Sequence, residues 1–375
     1  MLKISNLAIY ITNKCNLNCH YCYVGKSKPG KTSTQVLKDT ILWIKKQEFL
    51  TKRIALFGGE PMIEEEMVLY FLKKMDNNFH IMIMTNGTIM SEKCAITMSS
   101  FSNYSFIISV DSIDNSMPKN LPRAMSFINK CIKYRLNYSI QLTISQKNIS
   151  QISDMYKYCL STKTVLSLRD LCNPAVFTVE DCKKIKYELI KISKSKNFNR
   201  KYIIFPGKLS TGEFNFATSC SQKILSEYKP YVISTSGNIY ICEADAAFKK
   251  NRLGSIYSDE ILDPTFKNEL LPVYTACPYS NPTGVDSYLD IVINGIQKEL
   301  LSNNSIIIYL SKKNNWPYVL NNIPDNIFYV ICEIDDNTQE FPIECLKYLI
   351  EIKRREHIDI LIKNEKEGYI NVFKE

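Results

Sequence analysis

Residues 7–22 read LAIYITNKCNLNCHYC, an apolar, β-branched run closed by cysteines at positions 15, 19 and 22. The run Leu7–Thr12 has the length and composition of a buried strand, so the cysteines fall on the loop that leaves it. Similar runs recur at Arg53–Gly58, His80–Thr85, Ser105–Val110, Tyr138–Ser145 and Thr164–Leu168. Helix-like segments fill the spaces between them, at Thr34–Phe49, Glu64–Asp76, Ser91–Ser99, Pro122–Tyr134 and Ser150–Leu160, with a sixth at Thr178–Ser193. Short buried strands alternating with helices pair in parallel through crossovers. Six such units within roughly 200 residues predict an α/β fold, a partial (β/α)6 TIM-like barrel, since a full eightfold barrel takes about 250 residues.

The pattern changes after Pro206-Gly207. Ser234–Glu243 reads as a hairpin with Ser-Gly-Asn at its turn. The remaining stretch reads as a small α/β unit, with strands at Ser305–Leu310, Ile327–Glu333, Ile358–Ile362 and Tyr369–Phe373 and a helix over Ile343–Arg354. The expected division is therefore a barrel over 1–206, a hairpin domain over 207–284 and a small α/β domain over 285–375.

Composition excludes several classes. With 45% hydrophobic and 23% charged residues, and only 12 Gly and 14 Pro, the chain is neither disordered nor collagen-like. No apolar run approaches the ~18 residues of a membrane span, and no signal-peptide pattern opens the chain, so a soluble, cytoplasmic protein without membrane contact is expected. Thirteen cysteines, an odd number, argue against a disulfide framework and for metal or cluster ligation beside ordinary buried thiols. The net charge of +9 is concentrated between Lys183 and Lys208, where nine basic residues stand against Glu188 alone. That stripe suits nucleic acid or an acidic peptide, but the commoner reading is the solvated face of a helix and the loop after it.

The spacing C-x3-C-x2-C carries the chemistry. Three thiolates this close can hold three irons of a cubane [4Fe–4S] cluster and leave the fourth iron open. Zinc held by the same cysteines and His20 is the alternative that the residues themselves leave standing. The second strand ends in Phe57-Gly58-Gly59-Glu60-Pro61, where glycines let a ligand approach the backbone, although a tight turn explains them equally well. Following strands one and two respectively, both motifs belong at the same mouth of the barrel.

Together these residues resemble the radical S-adenosylmethionine enzymes. The resemblance covers about residues 7–205 and implies that Cys15, Cys19 and Cys22 bind a [4Fe–4S] cluster whose open iron takes S-adenosylmethionine. It implies that Tyr21 lies against the adenine through its backbone and that Gly58, Gly59, Glu60 and Pro61 contact the methionine amino group. Thr85-Asn86-Gly87 and Ser109-Val110-Asp111 resemble further segments of these families, so that Thr85, Asn86, Ser109 and Asp111 contact the methionine or ribose portions. The implied chemistry is one-electron cleavage to a 5′-deoxyadenosyl radical that takes a hydrogen from substrate, the hard step being the cofactor's own.

A second cysteine set, Cys220, Cys242 and Cys277, surrounds Gly237-Asn238-Ile239-Tyr240-Ile241-Cys242. With Leu253-Gly254-Ser255-Ile256 after it, this set resembles the SPASM and twitch extensions that hold an auxiliary [4Fe–4S] cluster. The place of a closing C-x2-C reads Cys277-Pro278-Tyr279-Ser280, so an open iron, closure by Ser280, Tyr279 or Asp245, or no cluster are the options. Asp245 or Glu243, beside Cys242, is placed by position as a proton acceptor, Asp245 being the catalytic candidate. The remaining seven cysteines read as buried thiols.

Such extensions cluster in maturases of ribosomally synthesised peptides, which makes an oxidoreductase that crosslinks, epimerises or oxidises a precursor peptide the leading expectation, with a flavodoxin or ferredoxin as reductant. The warrant is analogy of fold. A dehydrogenase of a small molecule or of a protein Ser or Cys side chain is the alternative. RNA modification is carried only by the basic stripe, so nucleic acid is not expected as a partner, and a zinc-binding module is the non-enzyme reading. Only fourteen residues precede Cys15, so no N-terminal peptide-recognition domain is expected, and residues 285–375 could bind a leader peptide or simply pack.

Overall fold

The computed structural model describes residues 1–22, 24, 30–170, 179–193, 195, 198–204, 228–258 and 260–262, together with four strands beyond residue 304. Two compact units result, Met1–Val176 with Asn215–Thr283, and Phe177–Phe214 with Gly284–Glu375.

In the first unit, strands β1 (Lys3–Thr12), β2 (Arg53–Gly58), β3 (His80–Thr85), β4 (Tyr104–Ser109), β5 (Tyr138–Ile144) and β6 (Leu166–Asp170) lie side by side in sequence order. Every neighbouring pair is parallel, as Leu7 beside Ile54 and Arg53 beside His80 illustrate. Helices α1 (Thr34–Ile44), α2 (Glu65–Lys74), α3 (Glu92–Met98), α4 (Leu121–Lys133) and α5 (Ile152–Ser161) supply the crossovers that parallel pairing requires. This is the expected partial barrel. Burial runs unbroken from Leu7 to Thr12 on β1, whereas β3 alternates between buried and half-buried positions. Unbroken burial marks β1 as a strand covered on both faces.

The sequence also fixes where the helices start. Ser33 and Ser91 accept hydrogen bonds from Val36 N (3.1 Å) and Cys94 N (3.0 Å), capping α1 and α3. Asn120 caps α4 by accepting from Arg123 N (3.0 Å), and its amide donates to Met117 O (2.7 Å), closing the loop that follows β4. Two boundaries differ from expectation. Helix α1 stops at Ile44, five residues early, because Glu48–Phe49 pair alongside Lys3 and Ile4 of β1. The hairpin begins at Lys229, earlier than Ser234. Its first strand, β7 (Lys229–Ile233), runs parallel along the free edge of β1, with Leu7 beside Tyr231 and Ile9 beside Ile233. The return strand β8 (Asn238–Tyr240) is antiparallel to β7 and pairs onward with β9 (Gly254–Ser255). Gly237, at φ +78°, makes the turn, and β7 closes an edge that β1 would otherwise expose.

In the second unit, helix α6 (Val179–Ser193) buries Ile185, Leu189 and Ile192 and leaves Lys184, Tyr187 and Lys191 exposed. Lys184 and Lys191 of the basic stripe thus stand on the outer face of an amphipathic helix. Strands β10 (Ser305–Leu310), β11 (Tyr329–Ile334), β12 (Asp359–Asn364) and β13 (Gly368–Asn371) form a sheet in that order, parallel except for the last pair. The helix expected over Ile343–Arg354 lies outside the described residues. No helix among the described residues is long and apolar enough to cross a membrane.

Because Asn120 is 2% exposed and serves both the cap and the loop, N120A is expected to cost about 1–2 kcal/mol in urea unfolding.

Candidate functional site

The loop leaving β1 is pinned at three places, each by a different strand end. The first is backbone to backbone: Gly59 N donates to Thr12 O and Glu60 N to Lys14 O, both at 2.8 Å. Glycine is required there, since a Cβ on Gly58 (φ +144°) would stand 2.0 Å from Thr12 O and one on Gly59 2.1 Å from Lys14 O. The Gly58-Gly59 pair therefore serves the close approach of two chain segments immediately before Cys15.

The second is the carboxylate of Glu60, which is fully buried and accepts three hydrogen bonds. Oε1 takes Met62 N (3.0 Å) and Thr85 Oγ1 (2.7 Å), and Oε2 takes Asn86 N (2.6 Å). Burial raises its pKa, and the three hydrogen bonds oppose that rise. Asn86 in turn donates to Asn16 Oδ1 (2.9 Å) and to Cys15 Sγ (3.8 Å). Thr88 completes this set, donating from N and Oγ1 to Asn86 Oδ1 at 3.0 and 2.6 Å and accepting from Asn16 Nδ2 at 2.8 Å. Thr88 also lines a groove of about 980 Å³ with Lys31, Glu64, Glu65 and Met90.

The third is Tyr21, whose hydroxyl donates to the carboxylate of Asp111. Asp111 is fully buried, and its other oxygen accepts from Thr143 N (3.2 Å). Burial first, then the Asp111 charge, pushes the Tyr21 phenol well above its ordinary pKa. Ser109, Thr85 and Pro61 are likewise buried at the strand ends.

These contacts present three thiols in graded exposure: Cys15 exposed, Cys22 half-buried and Cys19 buried. Cys22 lies within electrostatic reach of both others. Burial raises the thiol pKa of Cys15 and Cys19, so ligation there would release protons. Among the described residues, no three His, Cys, Asp or Glu side chains gather as ligands of a single ion. A [4Fe–4S] cluster instead takes each thiolate on a separate iron, and three neighbouring but separate thiols on one loop fit that group.

Cys242 lies in the same unit. It caps the short helix α7 (Glu243–Phe248), its sulfur accepting from Asp245 N (3.4 Å), and burial pushes its thiol well up. The buried phenol of Tyr10 on β1 donates to Glu243 O (2.8 Å) and feels the charges of both Cys242 and Cys22. Asp245 is fully buried and accepts from Asn251 Nδ2 (3.1 Å). Cys220 and Cys277 lie outside the described residues, as do Tyr279 and Ser280. Asn16, Thr88 and Tyr10 are the site residues that sequence reasoning missed. A polar side chain right after Cys15 and another right after Asn86-Gly87 were the available signal for the first two.

Residues 9–159 match the family model described as the Radical SAM superfamily. Those residues are a radical SAM domain. The superfamily uses a [4Fe–4S] cluster and S-adenosylmethionine. The chain is similar to the sporulation killing factor maturation protein SkfB of Bacillus subtilis, 24% identical over 160 residues, 40% of this chain and 38% of that one. It spans less than two-thirds of the length of the curated relatives it matches. Among solved structures it resembles native anSMEcpe with bound AdoMet and a peptide, at TM-score 0.59 and 16% identity over 80% of this chain and 98% of that one. Streptococcus suis SuiB bound to precursor peptide SuiA aligns at TM-score 0.55 and 15% identity over 76% and 68%. At such identities the likeness is one of fold.

Glu60 yields a test. An amide at this position turns a donor toward a donor, so E60Q is expected to lose roughly 1–3 kcal/mol in urea unfolding of the apoprotein.

Proposed function

We propose that this chain is a radical SAM enzyme that modifies a ribosomally synthesised precursor peptide, with Cys15, Cys19 and Cys22 holding the cluster. The single observation that carries the cluster assignment is the threefold pinning of the cysteine loop to the ends of β2, β3 and β4. When bound, the cluster and S-adenosylmethionine supply reductive cleavage to a carbon-centred radical that takes a hydrogen atom from the substrate.

The protein's own residues prepare that event. Gly58 and Gly59 bring the end of β2 against the cysteine loop, and Glu60 locks the Thr85-Asn86 turn beneath it. With the Glu60 carboxylate committed to Met62, Thr85 and Asn86, backbone groups of residues 58–61 are what this segment offers to the methionine part. Asn86 and the backbone N–H of Leu17 (3.4 Å) both donate to Cys15 Sγ, which steadies a ligand otherwise exposed. Tyr21, held by Asp111, keeps its backbone in place for the adenine, and Ser109 and Asp111 stand at the strand end where the ribose would lie.

Cys242, with Cys220 and Cys277, is assigned to an auxiliary cluster, closed at its fourth iron by Asp245, Tyr279 or Ser280 or left open to substrate. The support is that β7 and β8 form part of the barrel's sheet and that Tyr10 has Cys22 and Cys242 as shared neighbours. Asp245 is kept as a proton acceptor only by its place beside Cys242. The peptide assignment draws on the maturation role in SkfB's name and on the precursor peptide bound to SuiB. A flavodoxin or ferredoxin would supply the electron.

Iron and sulfide per chain after anaerobic reconstitution test this reading. Wild type is expected to hold about eight irons and the C15A/C19A/C22A variant about four, with 5′-deoxyadenosine formation abolished. About four irons falling to none would remove the auxiliary cluster, and zinc without iron would overturn the whole. Turnover of a small molecule without any leader sequence would overturn the peptide assignment alone.

A further inference from the structure

The loop between β4 and α4 carries a cation whose placement the cysteine motif does not explain. Lys119 is half-buried, and its carbonyl accepts from the backbone N–H of Asp111 at 2.9 Å, which fixes its place beside the Tyr21 clamp. Its ammonium stands over the ring of Tyr21, 5.4 Å from the centroid. That ring belongs to the residue between the second and third cysteines, and its hydroxyl interacts with Cys19 as well as Asp111. The charge of Lys119 reaches Cys19 and Glu60. Among the described residues Lys119 forms no ion pair with a carboxylate. Two fully buried carboxylates also reach the loop's thiols, Glu60 at Cys15 and Asp111 at Cys19, each committed to hydrogen bonds within the protein.

We propose that Lys119 is a positioning residue that raises the reduction potential of the cluster held by Cys15, Cys19 and Cys22. This rests on the cluster assignment made above. Reduction would add one negative charge to a group held by thiolates that already feel the charges of Glu60 and Asp111. A fixed cation nearby stabilises the reduced form more than the oxidised form, and it does so effectively because a partly buried charge is poorly screened by salt. Net charge and hydrogen bonds to sulfur are the recognised levers on such potentials. Here Asn86 and Leu17 donate to the Cys15 sulfur, and Lys119 acts by charge on the Cys19 side. Stacking on Tyr21 holds the ammonium there without neutralising it.

The test is an EPR-monitored redox titration of the reconstituted full chain, without S-adenosylmethionine, for wild type, K119Q and K119R. The signal followed is the one that disappears in C15A/C19A/C22A. K119Q is expected to shift the midpoint potential to more negative values, and K119R to stay close to wild type with unchanged iron content. Equal potentials in wild type and K119Q would overturn the proposal alone. So would an equal shift in K119Q and K119R, or iron uptake lost in K119Q, because shape or assembly would then be at stake and not charge. A C15A/C19A/C22A variant that keeps the whole signal would overturn the cluster assignment, and this proposal with it.

Discussion

A carboxylate with no access to water must be satisfied by the protein, and Glu60 shows what that requirement organises. Its two oxygens accept from the backbone of Met62 and Asn86 and from the hydroxyl of Thr85, so the ends of β2 and β3 are held in one fixed relation. Leaving any of those donors unpaired in a buried place would cost more than the bond contributes when made, which makes the arrangement nearly all-or-none. Everything above it depends on that relation. Asn86 reaches Cys15 only because its backbone is tied to Glu60, and Glu60 approaches Lys14 only because Gly58 and Gly59 carry no side chain. The cysteine loop thus borrows its order from the strand ends around it.

The fold was legible because β1–β6 are written as short apolar runs separated by helices, three of them capped by Ser33, Ser91 and Asn120. Arg53–Gly58 and His80–Thr85 were read to the residue, and the others to within a few. What the sequence obscured were places where a distant strand competed with local preference. Residues 45–49 continue a helical pattern, yet Glu48 and Phe49 pair with β1. Lys229–Ile233 holds too few residues to stand out, and its identity as a strand comes from the long edge of β1 on which it lies. Pairing over such separations leaves little local trace.

The site was legible in part. Cysteine spacing and Gly-Gly-Glu-Pro name residues of the candidate site, but not how their side chains are used. Tyr21 was read through its backbone, and its hydroxyl proves to be engaged by Asp111. The Gly-Gly-Glu-Pro pattern gives no sign that the Glu60 carboxylate is spent on the neighbouring turn. Asn16 and Thr88 were passed over because a single Asn or Thr in a loop has no distinctive spacing. Lys119 belongs to the same class: a lone lysine near a proline gives no hint that its charge reaches a cysteine a hundred residues earlier.

The hydrogen bond from Tyr10 to Glu243 spans 233 residues. During synthesis, β1 emerges first, yet one of its two edges stays unpaired until Lys229–Ile233 has left the ribosome. At roughly 5–20 residues per second that is a wait on the order of 10–50 s, during which the strand carrying the cysteine loop has one edge and the face under α7 uncovered. The order of events on the growing chain is thereby constrained: the loop's thiols are made early, but the wall behind Cys22 is completed late. A nascent chain stalled before residue 229 would carry its cysteine loop on a strand with one edge still open.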